Sequence, residues 1–381
     1  MILPRLRDPY FNYQHRRKLY VLRIVLALCV TFTLIEAFAI QHSGWALVST
    51  IMVMGNLPHI GGVLDKGRQR LLGTVLGASV GLLLIMLPLP WPYYLVPLGA
   101  LIAIAIATWL TFGNRHGYSG LMFAISLLLV IGGGQPELGI ALWRAFDVLL
   151  GTLVGIAVTV LVLPQKATDI MRFMLADNLD RMARLYHAHT TATAAHDIDA
   201  RELLKATSSL LVKQRGLVDA IHRERRLTRH ELDDIISLQR RMLSTIELLL
   251  ETHWNSRDGH ELIEAMEGLR EQQHTLARGI GTLAFQVRTG RPVDVTIPPF
   301  ALERHAELAA NARASDGRRL FSPGGYLWLN RELARLTDDL TRCLGDLDRL
   351  PSRRLRRQAP HHGLTDARST AVDHHARRKG R

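Results

Sequence analysis

Arg70-Leu-Leu-Gly73-Thr74-Val-Leu-Gly77-Ala-Ser-Val-Gly81 is the stretch that decides the fold. After the arginine it carries no charge, and its glycines recur every fourth residue. On an α-helix that spacing lines one face. Small residues on one face let a second helix come close, which is the main attraction available in lipid. The run continues through Leu-Leu-Leu-Ile-Met and reads as a membrane span over residues 71–88. Outward from it lie five more apolar runs, at 20–40, 44–63, 92–112, 118–135 and 145–164. A spanning helix needs roughly 20 mostly apolar residues. Six such runs joined by short polar breaks fit a soluble core poorly.

The charge distribution agrees. The 381 residues are 48% hydrophobic and 21% charged, with a formal net charge of +13. Residues 1–166 contribute +7, 167–351 contribute −1 and 352–381 contribute +7. The first part is too apolar for water, so one soluble globule is excluded. The basic excess sits at membrane flanks and in a tail, not on one folded face, which argues against a nucleic-acid partner. The expected parts are a basic arm (1–19), a six-helix membrane part (20–165), a helical cytoplasmic part (166–351) and a basic disordered tail (352–381). Tyr20–Ile40 is too long for a signal-peptide core. Cys29 and Cys343 are too far apart in character to suggest a disulfide framework or a zinc site.

Loop charges give orientation. Arg5, Arg7, Arg16, Arg17 and Lys18 precede span one; Lys66, Arg68 and Arg70 fill the second loop; Arg115 marks the fourth; Lys166 and Arg172 follow the last span. The first, third and fifth loops lack Lys and Arg. This alternation predicts cytoplasmic termini. Trp45, Trp91, Tyr93, Tyr94, Tyr118 and Trp143 fall near span ends and read as interface anchors.

Gly151-Thr152-Leu-Val-Gly155 in span six repeats the Gly73-Thr74-Val-Leu-Gly77 of span three. Spans two and five open alike, with Gly44-Trp45 and Gly117-Tyr118. Spans three and six run in opposite directions, so the pattern predicts a 3+3 inverted repeat, an arrangement that places a substrate path between its halves. Gly73, Gly77, Gly81, Gly151 and Gly155 read as packing positions; Thr74 and Thr152 can bond within or across helices.

Charges at membrane depth cost several kcal/mol unless paired or wet. Glu36 sits late in span one and Asp147 early in span six, one turn after Arg144, with which it can pair. Two readings of these groups stay open. Arg68, Arg70 and Arg115 mark the cytoplasmic side and Arg144–Asp147 is a local ion pair; or Arg68, Arg70, Arg115 and Arg144 line an anion path while Asp147 or Glu36 carries a proton.

Beyond Lys166 the pattern becomes charged and amphipathic, with apolar residues three or four apart. Helices are expected over Asp169–His189 (continuing from span six), Asp199–Arg226, Thr228–Trp254, Gly259–Arg288 and Tyr326–Arg349. Thr228 and Glu231 form a capping box. Gly290-Arg-Pro, Ile297-Pro-Pro and Ser322-Pro-Gly-Gly punctuate the rest. The histidines at 189 and 196, and the pairs at 361–362 and 374–375, lack a metal-site partner set. Neither a phosphate loop nor a hydrolase motif is present, so no cofactor, metal or enzyme activity is expected.

The basic arm, six spans, the Gly44-Trp45-Ala opening, Arg68-Gln-Arg70-Leu-Leu-Gly73-Thr74-Val-Leu-Gly77 and the long helical region resemble the fusaric acid resistance (FUSC) and aromatic acid exporter family. The likeness covers about residues 10–190 closely and the remainder in general character. More remotely, the layout is similar to plant aluminium-activated malate channels. The resemblance implies a bacterial inner-membrane exporter of aromatic or other small organic acids, driven by the proton gradient. It implies a homodimer too, because many members carry two six-span units, and a periplasmic adaptor as partner. A passive anion channel and a non-transporting envelope-assembly scaffold are the competing functions.

Overall fold

The computed structural model describes residues 8–40, 44–55, 59–86, 95–114, 116–131, 138–190, 199–224, 227–251, 268–300 and 323–349. Among them all regular structure is helical: α1 Pro9–Gln14, α2 Arg16–Ala37, α3 Gly44–Met54, α4 Ile60–Met86, α5 Leu95–Thr111, α6 Gly117–Ile131, α7 Leu138–Leu161, α8 Ala167–Thr190, α9 Ala200–Arg223, α10 Arg229–Glu251, α11 Leu269–Thr289 and α12 Pro323–Arg349. The expected tail falls outside these residues, as do His196, Trp91, Tyr93 and Tyr94.

Helices α2–α7 carry the apolar runs. Arg16–Ala37 and Ile60–Met86 are long and apolar enough to cross a bilayer; Gly44–Met54, Leu95–Thr111, Gly117–Ile131 and Ala145–Leu161 are apolar but shorter. Their outward faces are greasy: Val75, Leu83, Leu101 and Trp109 are exposed. Glycines, threonines and serines turn inward instead, the reverse of a soluble protein.

The second expected span is not one helix. Met54 ends α3, and Gly55 follows with φ +46, a left-handed conformation that glycine adopts without Cβ strain. A helix of 11 residues is about 16 Å long, roughly half of a hydrocarbon core. His59 then accepts the Gly62 N–H through Nδ1 at 3.0 Å, capping the start of α4. Residues 60–63 thus belong to the next helix. Lys66, Arg68 and Arg70 are correspondingly not in a loop. They occupy the opening turns of the 27-residue α4, where Gln69 donates to Asp65 at 2.7 Å. Loop and helix look alike in a polar stretch without a proline.

The expected continuity of span six into the next helix also fails. After Leu161 the chain bends at Leu163, which has φ +48, and Pro164, and α8 starts afresh at Ala167. Pro164 cannot donate to a preceding turn, so the helix stops there.

Helices α8–α12 form a bundle around α8, whose Phe173, Leu179, Met182, Leu185 and Tyr186 are buried. Thr228 and Glu231 make the expected reciprocal box at the head of α10: Thr228 N–H donates to the Glu231 carboxylate at 2.7 Å, and Glu231 N–H to Thr228 Oγ1 at 3.3 Å. Gly290, left-handed at φ +69, closes α11. Two buried polar clusters fix how the helices meet. Asn178 and Gln214 donate to Gln239 Oε1 at 3.3 and 3.1 Å. Gln273 donates to Tyr326 at 2.7 Å and to Asn330 at 3.2 Å, and Tyr186 donates to Asn330. Interior hydrogen bonds of this kind, made between different helices, help specify one register. His189, buried beside the Tyr326 hydroxyl at 3.2 Å, belongs to the second cluster.

The described part of the basic arm, from Asp8 onward, is tied down. Tyr13 is buried in the bundle core, packs on Phe173, and donates to Asp177 at 3.0 Å. Burial and the Asp177 carboxylate push its phenol up to about 12.

Candidate functional site

The site begins with the two glycine motifs. A Cβ at Gly73 would collide with the Ser119 carbonyl and lie 2.8 Å from Met122 Cβ; one at Gly77 would strike the Phe123 carbonyl. Helix α4 therefore lies directly on α6. A Cβ at Gly151 would strike the Ala46 carbonyl and come within 2.9 Å of Ser49 Cβ, and one at Gly155 would lie 2.5 Å from Val53 Cγ1. Helix α7 lies on α3 in the same way. Each Gly-Thr motif seats one of the two helices that open with Gly-Trp or Gly-Tyr. Gly81 continues the first seam against Val130 at 2.9 Å.

Arg70 sits where α3, α4 and α6 meet, and it is only 3% exposed. Its Nη2 donates to Ser49 Oγ on α3 at 2.9 Å. Its Nη1 donates to Tyr118 Oη on α6 at 3.2 Å and contacts the sulfurs of Met122 and Met52 at 3.0 and 3.4 Å. Its Nε has no hydrogen-bond partner among the described residues. All these partners are neutral. A guanidinium offers five donors in a plane suited to a carboxylate. The group is thus a desolvated cation with spare donor capacity. Lys66, one turn earlier, lies over the Tyr118 ring at 5.4 Å. Tyr118, expected as an interface anchor, is a partner of Arg70.

A second buried arginine was not singled out by sequence. Arg23 of α2, 1% exposed, donates from Nε to the Val162 carbonyl at 3.0 Å and from Nη2 to the Leu163 carbonyl. It satisfies the carbonyls left open where α7 ends and faces the negative end of that helix. The sequence signal was a charge one turn inside an apolar run.

Across the other seam, Thr31 and Thr50 share a hydrogen bond at 2.9 Å, and Thr50 Oγ1 reaches the Gly151 carbonyl at 3.2 Å. These threonines do what Thr74 and Thr152 were candidates for; Thr152 Oγ1 is buried with no hydrogen-bond partner among the described residues. Asp147 is fully buried on α7, one turn before Gly151 and hence one turn from the Ser49 level. Glu36 is exposed in the last turn of α2, and Arg68 is exposed on α4. Of the expected anion-path residues, Arg68 and Arg70 do not share a face. Arg115 lies outside the described residues; Arg144 lies in α7, but its side chain, and the expected pairing with Asp147, are outside what is described.

The opening of α4 also touches the bundle. A Cβ at Gly61 would lie 2.8 Å from the Ala220 carbonyl of α9. Asp65 pairs with Arg223 at 3.0 Å. The neighbouring Glu224 accepts from Ala167 N–H at 2.7 Å and from Thr168 Oγ1 at 2.8 Å, capping α8.

The sequence model of the fusaric acid resistance protein family matches residues 17–377. This chain belongs to that family. The FUSC match runs through the membrane helices and the bundle alike, further than the likeness read from the motifs. Among curated relatives, the inner membrane protein YeeA of Escherichia coli is 30% identical over 338 residues, covering 87% of this chain and 94% of that protein. The uncharacterized transporter YdhK of Escherichia coli is 27% identical over 299 residues, 72% of this chain and 43% of YdhK. The p-hydroxybenzoic acid efflux pump subunit AaeB of Edwardsiella tarda is 28% identical over 164 residues, 38% of this chain and 24% of AaeB. As a FUSC member the chain is a helical membrane protein whose relatives include transporters.

Proposed function

We propose that this chain is a six-span, proton-driven exporter of small organic anions, aromatic carboxylates first among them, in a bacterial inner membrane with both termini cytoplasmic. The observation that carries the reading is Arg70: a guanidinium withdrawn from water, ringed by hydroxyls and thioethers, with an unused donor, at a crossing of helices. A carboxylate arriving there gains a charge-assisted, planar contact and relieves a desolvated charge. The two crosswise seams support an inverted repeat in which α2–α4 and α5–α7 are the halves, and Arg70 then bridges them. Asp147, buried one turn along, is the proposed proton carrier; Glu36, exposed at a helix end, is the lesser candidate. Arg68, Arg115 and Arg144 are proposed to draw anions toward the path. AaeB, described as a pump subunit for p-hydroxybenzoic acid, supports aromatic acids as substrate class and an adaptor as partner.

Everted vesicles test this. Labelled p-hydroxybenzoate and related acids are offered with and without a pH gradient. Gradient-dependent uptake is expected, reduced at least about 100-fold in Arg70→Ala and partly kept in Arg70→Lys. Asp147→Asn should abolish the gradient dependence. Uptake that ignores the gradient and survives Asp147→Asn would indicate a passive channel. No uptake of any acid, with a growth phenotype that follows the bundle alone, would indicate a scaffold.

A further inference from the structure

Where α1 turns into α2, a cleft of about 640 Å³ opens between this corner and helices α8 and α9. Arg16, Arg17 and Lys18 line it from one side, Arg181 and Lys213 from the other, with Ser209 beside them. The first three are ordinary flanking charges of a membrane helix. Arg181 and Lys213 are not, since they come from the bundle and are more than 150 residues further along the chain. Among the described residues one acidic side chain, Asp177, reaches the cleft, and it is already engaged: it accepts from Tyr13 at 3.0 Å and pairs with Arg288 at 3.3 Å. Arg16 rests on the Tyr13 ring at 4.9 Å. Among the described residues, no ion pair to a carboxylate is made by any of the five cations.

Five like charges converging on one concave surface repel each other, and a multivalent anion removes that penalty. Arginine forks and lysine ammonium groups together match phosphate oxygens. The position fixes the source. Leu19 follows Lys18 directly, and the exposed Val21 and Leu22 face outward one turn on. The cleft is therefore at the height of lipid headgroups on the bundle side of the membrane. We infer that it is a binding site for a phosphate-bearing anion, filled by the headgroup of an anionic phospholipid. The site is separate from Arg70 and does not depend on what the protein transports.

The test uses the full-length protein in neutral detergent, titrated with short-chain phosphatidylglycerol, short-chain phosphatidylcholine and inorganic pyrophosphate. Binding is read by intrinsic fluorescence and thermal shift. Phosphatidylglycerol is expected to bind and phosphatidylcholine not to. The double variant Arg181→Gln, Lys213→Gln should bind phosphatidylglycerol about 30-fold more weakly, at roughly 1 kcal/mol for each of the two basic groups removed. The charge-keeping pair Arg181→Lys, Lys213→Arg should bind like the wild type, which separates lost charge from lost fold. Pyrophosphate that displaces the lipid and binds more tightly would make the source a soluble phosphate at the same residues. Wild-type lipid affinity in the double glutamine variant, or binding of neither phosphate compound, would overturn the inference.

Discussion

Arg70 was legible in the sequence because it opens the glycine motif; its surroundings were not. Ser49, Met52, Tyr118 and Met122 come from two other helices, and no spacing within one run reports a contact between runs. Arg23 was missed for a related reason. A charge near the end of an apolar run reads as a flank until the carbonyls it serves, at Val162 and Leu163, are brought beside it. Replacing it with leucine leaves those carbonyls buried and unserved. Arg23→Leu is expected to destabilise the fold by about 2–3 kcal/mol, seen as a lower melting temperature in detergent, while Arg17→Leu, on the exposed surface, shifts it little. Tyr13 makes a pH-dependent prediction. Its folded phenol is held up to about 12, above the ordinary value of 10.0, so its stabilisation is complete below pH 10 and is lost as pH rises through about 12. Melting temperature should therefore fall between pH 10 and pH 12, and Tyr13→Phe should remove part of that slope. A parallel slope in wild type and variant would contradict the assignment.

Among the elements, periodicity predicted the bundle helices well, since an amphipathic stripe is a local property. Helix α10 starts at its predicted box, and α12 begins at Pro323, inside the predicted breaker, because proline suits a first helical position. The apolar helices were harder. Inside a membrane both neighbours of a residue can be lipid or protein, so the sequence has no polar face to mark where a helix stops. The Gly55 break was hidden in this way, and it shortened one element and lengthened the next. The glycines separate two kinds of site, and mutation should distinguish them. Gly77→Ala and Gly151→Ala put a methyl against a neighbouring backbone carbonyl, and each should cost about 1–3 kcal/mol. Gly216→Ala, mid-helix with open space around its Cβ, should stabilise by about 0.5–1 kcal/mol. Thermal unfolding followed by size-exclusion retention in detergent distinguishes the two signs.

For the whole molecule, composition alone divided the chain into an apolar part, a balanced part and a basic tail. What composition could not convey was how the parts are fastened. The arm docks through Tyr13, the α7–α8 bend is held by Arg23 and Glu224, and α4 meets α9 through Gly61 and Asp65. The proposed homodimer is checked by mass measurement of the detergent-solubilised protein after subtraction of bound detergent; a monomeric mass that persists in native lipid nanodiscs would remove it. The fastening at Asp65 has its own readout: Asp65→Asn should slow anion uptake several-fold while leaving the residue at 70 intact. The unbroken run of α4 has a mechanical consequence. Its 27 residues make a shaft about 40 Å long. One end is pinned to the bundle and its flank carries the buried guanidinium. Leaning such a shaft by about 10° sweeps its far tip through roughly 7 Å, so a small tilt at the end held by the bundle is amplified along the helix into a displacement larger than a side chain's width.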